Sequence, residues 1–298
     1  MHKVILLMIV LVLSMIGYCL SAREVKCDLQ IICNDAWFNN LVGSPGIIVK
    51  ETHLLTLNDV GTNNFVLVTA NNVDYPSGQN MDILNLPNLI RWYGTFPSVV
   101  HPKFRPLPLG PKMSWSSTSI NGEDGRVQQN KIINAITASK FEIASSERKI
   151  FLYTNFDVNT TNNPHIKEHK GTRQRLKDHL QRTNLYHDQP RLSFETYMKD
   201  LSNSVFCVCP PGNGVDSHRT WEALLLGCIP IVLYYEPIIP LYENLPVYIV
   251  NDWEEITEES LLMKQMEIAA KEYTDVKLYM NFWLSQIRSE TTGTETIL

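Results

Sequence analysis

The sequence predicts an α/β protein of two Rossmann-like lobes with a cleft between them. Three observations carry that expectation: short apolar runs closed by turn residues in the first half, alternating strand and helix patterns in the second, and a glycine turn joining a strand to a capped helix. With 298 residues, 44% of them hydrophobic and 19% charged, the chain can bury the cores this architecture needs. A net charge of -5 argues against nucleic-acid binding, so any anionic ligand has to be held by a local cluster of donors.

Residues 1–22 stand apart from the fold. Val4 to Ala22 carries no charge, follows a basic start and ends in Ser21 and Ala22, the pattern of a signal peptide or of a signal anchor just long enough to span a bilayer. Either reading delivers the rest of the chain to a lumen or to the outside, with the membrane as a partner if the segment is retained. Two features suit an oxidising compartment. Asn159-Thr160-Thr161 is a glycosylation sequon among turn formers, and Cys27 and Cys33 lie close enough in sequence to form a disulfide. Cys207 and Cys209 read as buried structural thiols, Cys228 makes the total odd so that at least one thiol is free or pairs outside, and no zinc-ligand spacing occurs.

Residues 24–135 are expected to form the N-terminal, acceptor-side lobe. Phe65 to Thr69 and Leu89 to Tyr93 read as buried strands, the second closed by Gly94. Phe104 to Leu109 is extended and placed at an edge by Pro102, Pro106 and Pro108. Ser114 to Gly125 reads as a loop before the second lobe, residues 145–260. There the expected order is strand Lys149–Tyr153, basic helix Thr172–Arg182, a helix capped by Ser193, strand Val205–Cys209, a turn from Pro210 to Asp216, and helix Ser217–Leu226 ended by Gly227. Strands Ile229–Tyr234 and Val247–Val250 follow. Residues 261–298 are expected to be helical, with a break, and to cross back to the first lobe.

The chemistry concentrates at Pro210 to Glu222. Gly212 and Gly214 let the backbone turn tightly, and the following helix offers unpaired N–H groups and a partial positive charge, a good receptor for a diphosphate. His218, Arg219 and Glu222 lie three and four residues apart and share a helix face. Arg219 suits phosphate oxygens and Glu222 suits ribose hydroxyls. The plainer alternative is an Arg219–Glu222 pair on a solvated face, with Asp216 or Ser217 serving only as a cap. Arg173, from a basic run between Lys167 and Lys177, and Asn155, after the strand at Lys149–Tyr153, join Gly212, Asn213, Gly214, Asp216, Ser217 and His218 in the expected donor-binding set.

This stretch resembles the signature of exostosin-type glycosyltransferases: Pro210-Pro211-Gly212, Ser217-His218-Arg219, Glu222-Ala223-Leu224 and Gly227 to Val232. The Gly-Asn-Gly-Val-Asp variant is similar to the branch containing the transmembrane ribitol xylosyltransferases. The likeness extends to Lys149–Arg173, Tyr197–Ser204 and Leu245–Trp253, about half of the chain. It implies a GT-B-like fold, a nucleotide-sugar donor (a UDP-sugar) in the C-terminal lobe, and a glycan or glycoprotein acceptor in the N-terminal one. It also implies inverting transfer in the Golgi or endoplasmic reticulum lumen by a type II or secreted protein. The absence of an Asp-x-Asp triplet points to transfer without a metal or other cofactor. The general base is expected from the N-terminal lobe, with Asp74, just after a strand, first and His101 second; the alternative for Asp74 is an ordinary turn aspartate. A catalytically inactive binding protein of the same fold is the alternative. An esterase or phosphatase lacks a placed nucleophile, and a secreted structural protein would make Arg219 and Glu222 dispensable.

Overall fold

The computed structural model describes residues 40–50, 62–69, 81–95, 98–112, 148–160, 172–187, 190, 192–212 and 214–292. Residues 1–22, Cys27, Cys33, Asp74 and Asn213, for which the sequence carries expectations, lie outside them.

The first sheet contains β1 (Ile47–Lys50), β2 (Phe65–Thr69), β3 (Leu89–Gly94) and β4 (Phe104–Pro106), with the short helix α1 (Met81–Leu84) between β2 and β3. All its pairings are parallel and the order is β1-β2-β3-β4. β2 explains itself. Its five residues are buried on both faces, Phe65 and Leu67 with α1 on one side, Val66 and Val68 toward the second half of the chain on the other. The proline-flanked β4 takes the edge, as its missing N–H groups require. Gly94 ends β3 where a Cβ would meet Thr69 Oγ1 at 2.8 Å and the Phe104 ring at 3.2 Å.

The second sheet, β5 (Ile150–Tyr153), β6 (Ser204–Val208), β7 (Ile229–Leu233) and β8 (Tyr248–Val250), is likewise parallel and ordered sequentially. Helices cover both of its faces. Cys207 and Cys209 point to the side packed by α3 (Phe194–Ser202), α4 (His218–Leu225) and α5 (Ile239–Tyr242). Phe206 and Val208 point to the side packed by α2 (Thr172–Arg182) and α6 (Glu258–Ala269). The three thiols of this lobe, Cys207, Cys209 and Cys228, are free and buried. Gly227, at φ +68°, supplies the left-handed residue that stops α4.

The expected long final helix is two helices, α6 and α7 (Met280–Thr292), separated by a 3-10 turn at Val276–Leu278. After the break α7 packs on β2 and β3 of the first sheet. Glu290 accepts from Arg91 Nε at 2.8 Å and from the Tyr93 hydroxyl at 3.1 Å, and Arg288 donates to the Asn40 carbonyl. Burial, and then Glu290, hold the Tyr93 phenol above its usual pKa, so it stays a donor. Glu290→Ala is expected to cost about 1–2 kcal/mol in urea unfolding, because it strands a part-buried Arg91 and Tyr93 together.

Candidate functional site

The strand–turn–helix from β6 to α4 is built by residues behind it. Cys209 N donates to the Ile231 carbonyl, Pro210 and Pro211 lead out of the sheet, and Gly212 N closes on the Gly214 carbonyl at 2.9 Å. Arg173, in the first turn of α2, grips this turn from beneath. Its Nε donates to the Pro211 carbonyl at 2.7 Å, Nη2 to the Pro210 carbonyl at 3.1 Å, and Nη1 to the Asp157 carbonyl at 2.7 Å. The side chain is 9% exposed. Burial first, and repulsion from Arg219 second, push its pKa down to about 10, so it remains charged at neutral pH. The structure therefore places Arg173 as the brace of the Pro-Pro-Gly turn, with all three guanidinium nitrogens on carbonyl groups. Arg173→Ala is expected to destabilise the protein by about 2–4 kcal/mol in chemical unfolding, since three carbonyls lose a charged donor at once.

Ser217 stands at the N-cap of α4 in an extended conformation, and its hydroxyl meets Thr220 Oγ1 instead of capping a backbone N–H. The helix start thus keeps its positive end free of a side-chain cap. Asp216 does not cap it either. The Asp216 carboxylate is 2% exposed and accepts from Trp221 Nε1 (3.0 and 2.8 Å), Tyr242 Oη (3.3 Å) and, across the lobes, Leu109 N (2.8 Å). Burial pushes its pKa up to about 6 against the pull of these bonds.

The chain leaving β4 is seated along α4. Besides the Leu109–Asp216 bond, His218 Nδ1 donates to the Gly110 carbonyl at 2.8 Å, and Lys112 N donates to Glu222 Oε1 at 3.1 Å. Glu222 is 4% exposed, and its second oxygen accepts from the Tyr197 hydroxyl at 2.5 Å. These contacts replace the alternative of an Arg219–Glu222 pair on a solvated face.

Arg219 differs from its neighbours. Its half-buried guanidinium lies 5.7 Å from the centre of the Tyr197 ring, and among the described residues it makes no hydrogen bond and has no carboxylate partner. Tyr197 in turn packs against Tyr153 at the end of β5 and against Phe194. A part-desolvated cation with no counter-charge among the described residues, at a helix start without a side-chain cap and near a braced glycine turn, has the chemistry to receive an anion.

The remaining expected residues lie outside this cluster or serve it indirectly. Asn155 donates to the Pro190 carbonyl and ties the exit of β5 to a neighbouring loop. His101 accepts from Lys103 N in the turn before β4. Asn159 is exposed in a turn, its N–H on Asp157. Of the basic run, Arg175 pairs with Asp252 and Glu254, and Lys177 lies over the Tyr186 ring. The sequence does not mark Tyr197 or the backbone of Leu109 to Lys112 as site residues. An aromatic at the start of the preceding helix is a faint signal, and backbone partners more than a hundred residues away leave none.

The family model described as the exostosin GT47 domain matches residues 114–267, just over half of the chain. Among curated proteins, a probable glucuronosyltransferase of Oryza sativa subsp. japonica is 32% identical over 114 residues, covering 37% of this chain and 25% of the relative. The probable beta-1,4-xylosyltransferase IRX10 of Arabidopsis thaliana is 31% identical over 116 residues, with the same two coverages. The chain thus spans about a quarter of the length of these relatives.

Proposed function

Because the chain belongs to the exostosin GT47 family, we propose that it is a glycosyltransferase moving a sugar from a nucleotide-sugar donor to a hydroxyl of a glycan or glycoprotein acceptor. The observation that carries this reading is Arg219, a half-buried cation at the start of α4 that has no carboxylate partner among the described residues. A donor diphosphate supplies the missing charge. Its oxygens sit between the guanidinium and the start of α4, which carries no side-chain cap, while Arg173 braces the turn. Glu222 already accepts two hydrogen bonds, and a carboxylate has room for about two more, enough for ribose hydroxyls.

In the reaction so proposed, an acceptor hydroxyl attacks the anomeric carbon, the bond to the diphosphate breaks, and charge grows on the leaving oxygen. Arg219, held over the Tyr197 ring, and the helix start would meet that charge, the kind of arrangement that lowers a transition state. Metal-independent, inverting transfer from a UDP-sugar in a secretory lumen belongs to this proposal, with the base supplied by the N-terminal lobe. The names of the relatives suggest xylose and glucuronic acid as the first donor sugars to try.

The test is release of UDP from UDP-xylose and UDP-glucuronic acid, with and without a chelator and with oligosaccharide acceptors. Acceptor-dependent release from either donor supports the reading. Tight UDP binding without release from either would instead assign a catalytically inactive binding protein.

A further inference from the structure

One aromatic residue touches both polar groups that the donor reading depends on. Tyr197, on α3, donates its hydroxyl to Glu222 Oε2 at 2.5 Å and presents its ring to the Arg219 guanidinium at 5.7 Å. α3 is a separate element from the strand–turn–helix that carries Arg219 and Glu222, and it is itself firmly held. Ser193 caps it by accepting from Thr196 N, Met198 and Leu201 anchor it in the core, and Phe194 and Tyr153 pack around the ring. The two contacts have different chemistry. The hydroxyl fixes a carboxylate rotamer. The ring face offers negative quadrupole to a cation and takes no part in hydrogen bonding.

We propose that Tyr197 is the positioning residue of the donor site, its hydroxyl setting Glu222 for ribose and its ring setting Arg219 for diphosphate. The proposal rests on the donor reading above and adds to it a division of labour. Glu222 has one oxygen on Lys112 N and the other on Tyr197, so its plane is fixed at both ends. Remove the phenol oxygen and the carboxylate can rotate about the remaining bond, while the ring stays under Arg219. Remove the ring and the guanidinium also loses its support. Burial, followed by the neighbouring Glu222, holds the phenol well above its ordinary pKa, so at neutral pH the hydroxyl carries its proton and donates.

The division is measurable by calorimetry on the full chain in detergent with three probes: UDP, 2′-deoxy-UDP and inorganic pyrophosphate. The wild type is expected to prefer UDP over 2′-deoxy-UDP by about 10-fold, the scale of one hydrogen bond to a charged group. Tyr197→Phe is expected to reduce that preference to about 2-fold or less and leave pyrophosphate unchanged. Tyr197→Leu is expected to weaken pyrophosphate as well, by about 3–5-fold. A purely structural role predicts equal weakening of all three probes, and that result overturns the proposal, as does a preference that survives in Tyr197→Phe.

Glu222→Gln, which keeps the shape of the carboxylate, gives a second route if Tyr197→Phe fails to fold. It should abolish the ribose preference alone, and a preference that persists contradicts the proposal equally. A wild type that binds none of the probes removes the donor reading itself. A wild type that binds all three with an unaltered preference in the variants removes only the role of Tyr197.

Discussion

Arg219→Ala is expected to lower affinity for UDP about 100-fold while leaving the stability of the fold nearly unchanged. The two halves of that expectation share one cause. A guanidinium on a diphosphate makes two charge-assisted hydrogen bonds, each worth about 1.5–3 kcal/mol, and their loss spans at least two decades in affinity. In the free protein, however, the same group has no ion-pair partner among the described residues, only the Tyr197 ring. Removing it forfeits a cation–π contact of about 0.5–1 kcal/mol and relieves the desolvation of an unpaired charge, so the terms nearly cancel. Calorimetry beside thermal unfolding separates them. A variant that loses stability in proportion to affinity would make Arg219 a structural residue.

The second large effect concerns stability alone. Asp216→Ala is expected to cost about 3–5 kcal/mol, because Leu109 N, Trp221 Nε1 and the Tyr242 hydroxyl, buried donors from distant parts of the chain, lose their shared acceptor. Burial raises its folded pKa from the ordinary 3.8 to about 6, so the native state binds the proton more tightly than the unfolded chain does. Stability from this group is therefore full below about pH 4, declines as pH rises to about 6, and is flat above that. The integrated loss is about 3 kcal/mol on the usual conversion. Urea unfolding of the wild type and of Asp216→Asn from pH 4 to pH 8 checks the sign. Relative to the asparagine variant, the wild type should weaken across that window, and a wild type that strengthens would contradict the assignment.

What sequence reveals here follows the range of the interactions. The strands at Phe65–Thr69 and Ser204–Val208 are legible, the second to within a residue at each end, because a run buried on both faces needs no partner to be recognised. β1 and α1 are not, since each has only four residues and neither shows a period. The two-lobed parallel α/β class is legible from the alternation of elements, and the family from the signature around Pro210 to Val232.

The site divides in the same way. That Arg219 and Glu222 lie near one another is helix arithmetic. That Glu222 turns to Tyr197 and Lys112, that Asp216 bonds to Leu109, and that Arg173 braces the turn from below all depend on chain crossings 25 to 110 residues long. A guanidinium committed to carbonyl groups and one with no hydrogen bond among the described residues read identically as Arg in sequence.

The central claim is that a donor diphosphate sits between Arg219 and the Pro-Pro-Gly turn, and hydrogen–deuterium exchange of the full chain with and without UDP, chelator present, tests it most directly. The account predicts slowed exchange in the peptide from Pro210 to Glu222, with smaller protection in α3 around Tyr197 and none in α6. Unchanged exchange across Pro210 to Glu222 at saturating UDP, or protection confined to another part of the chain, would contradict it.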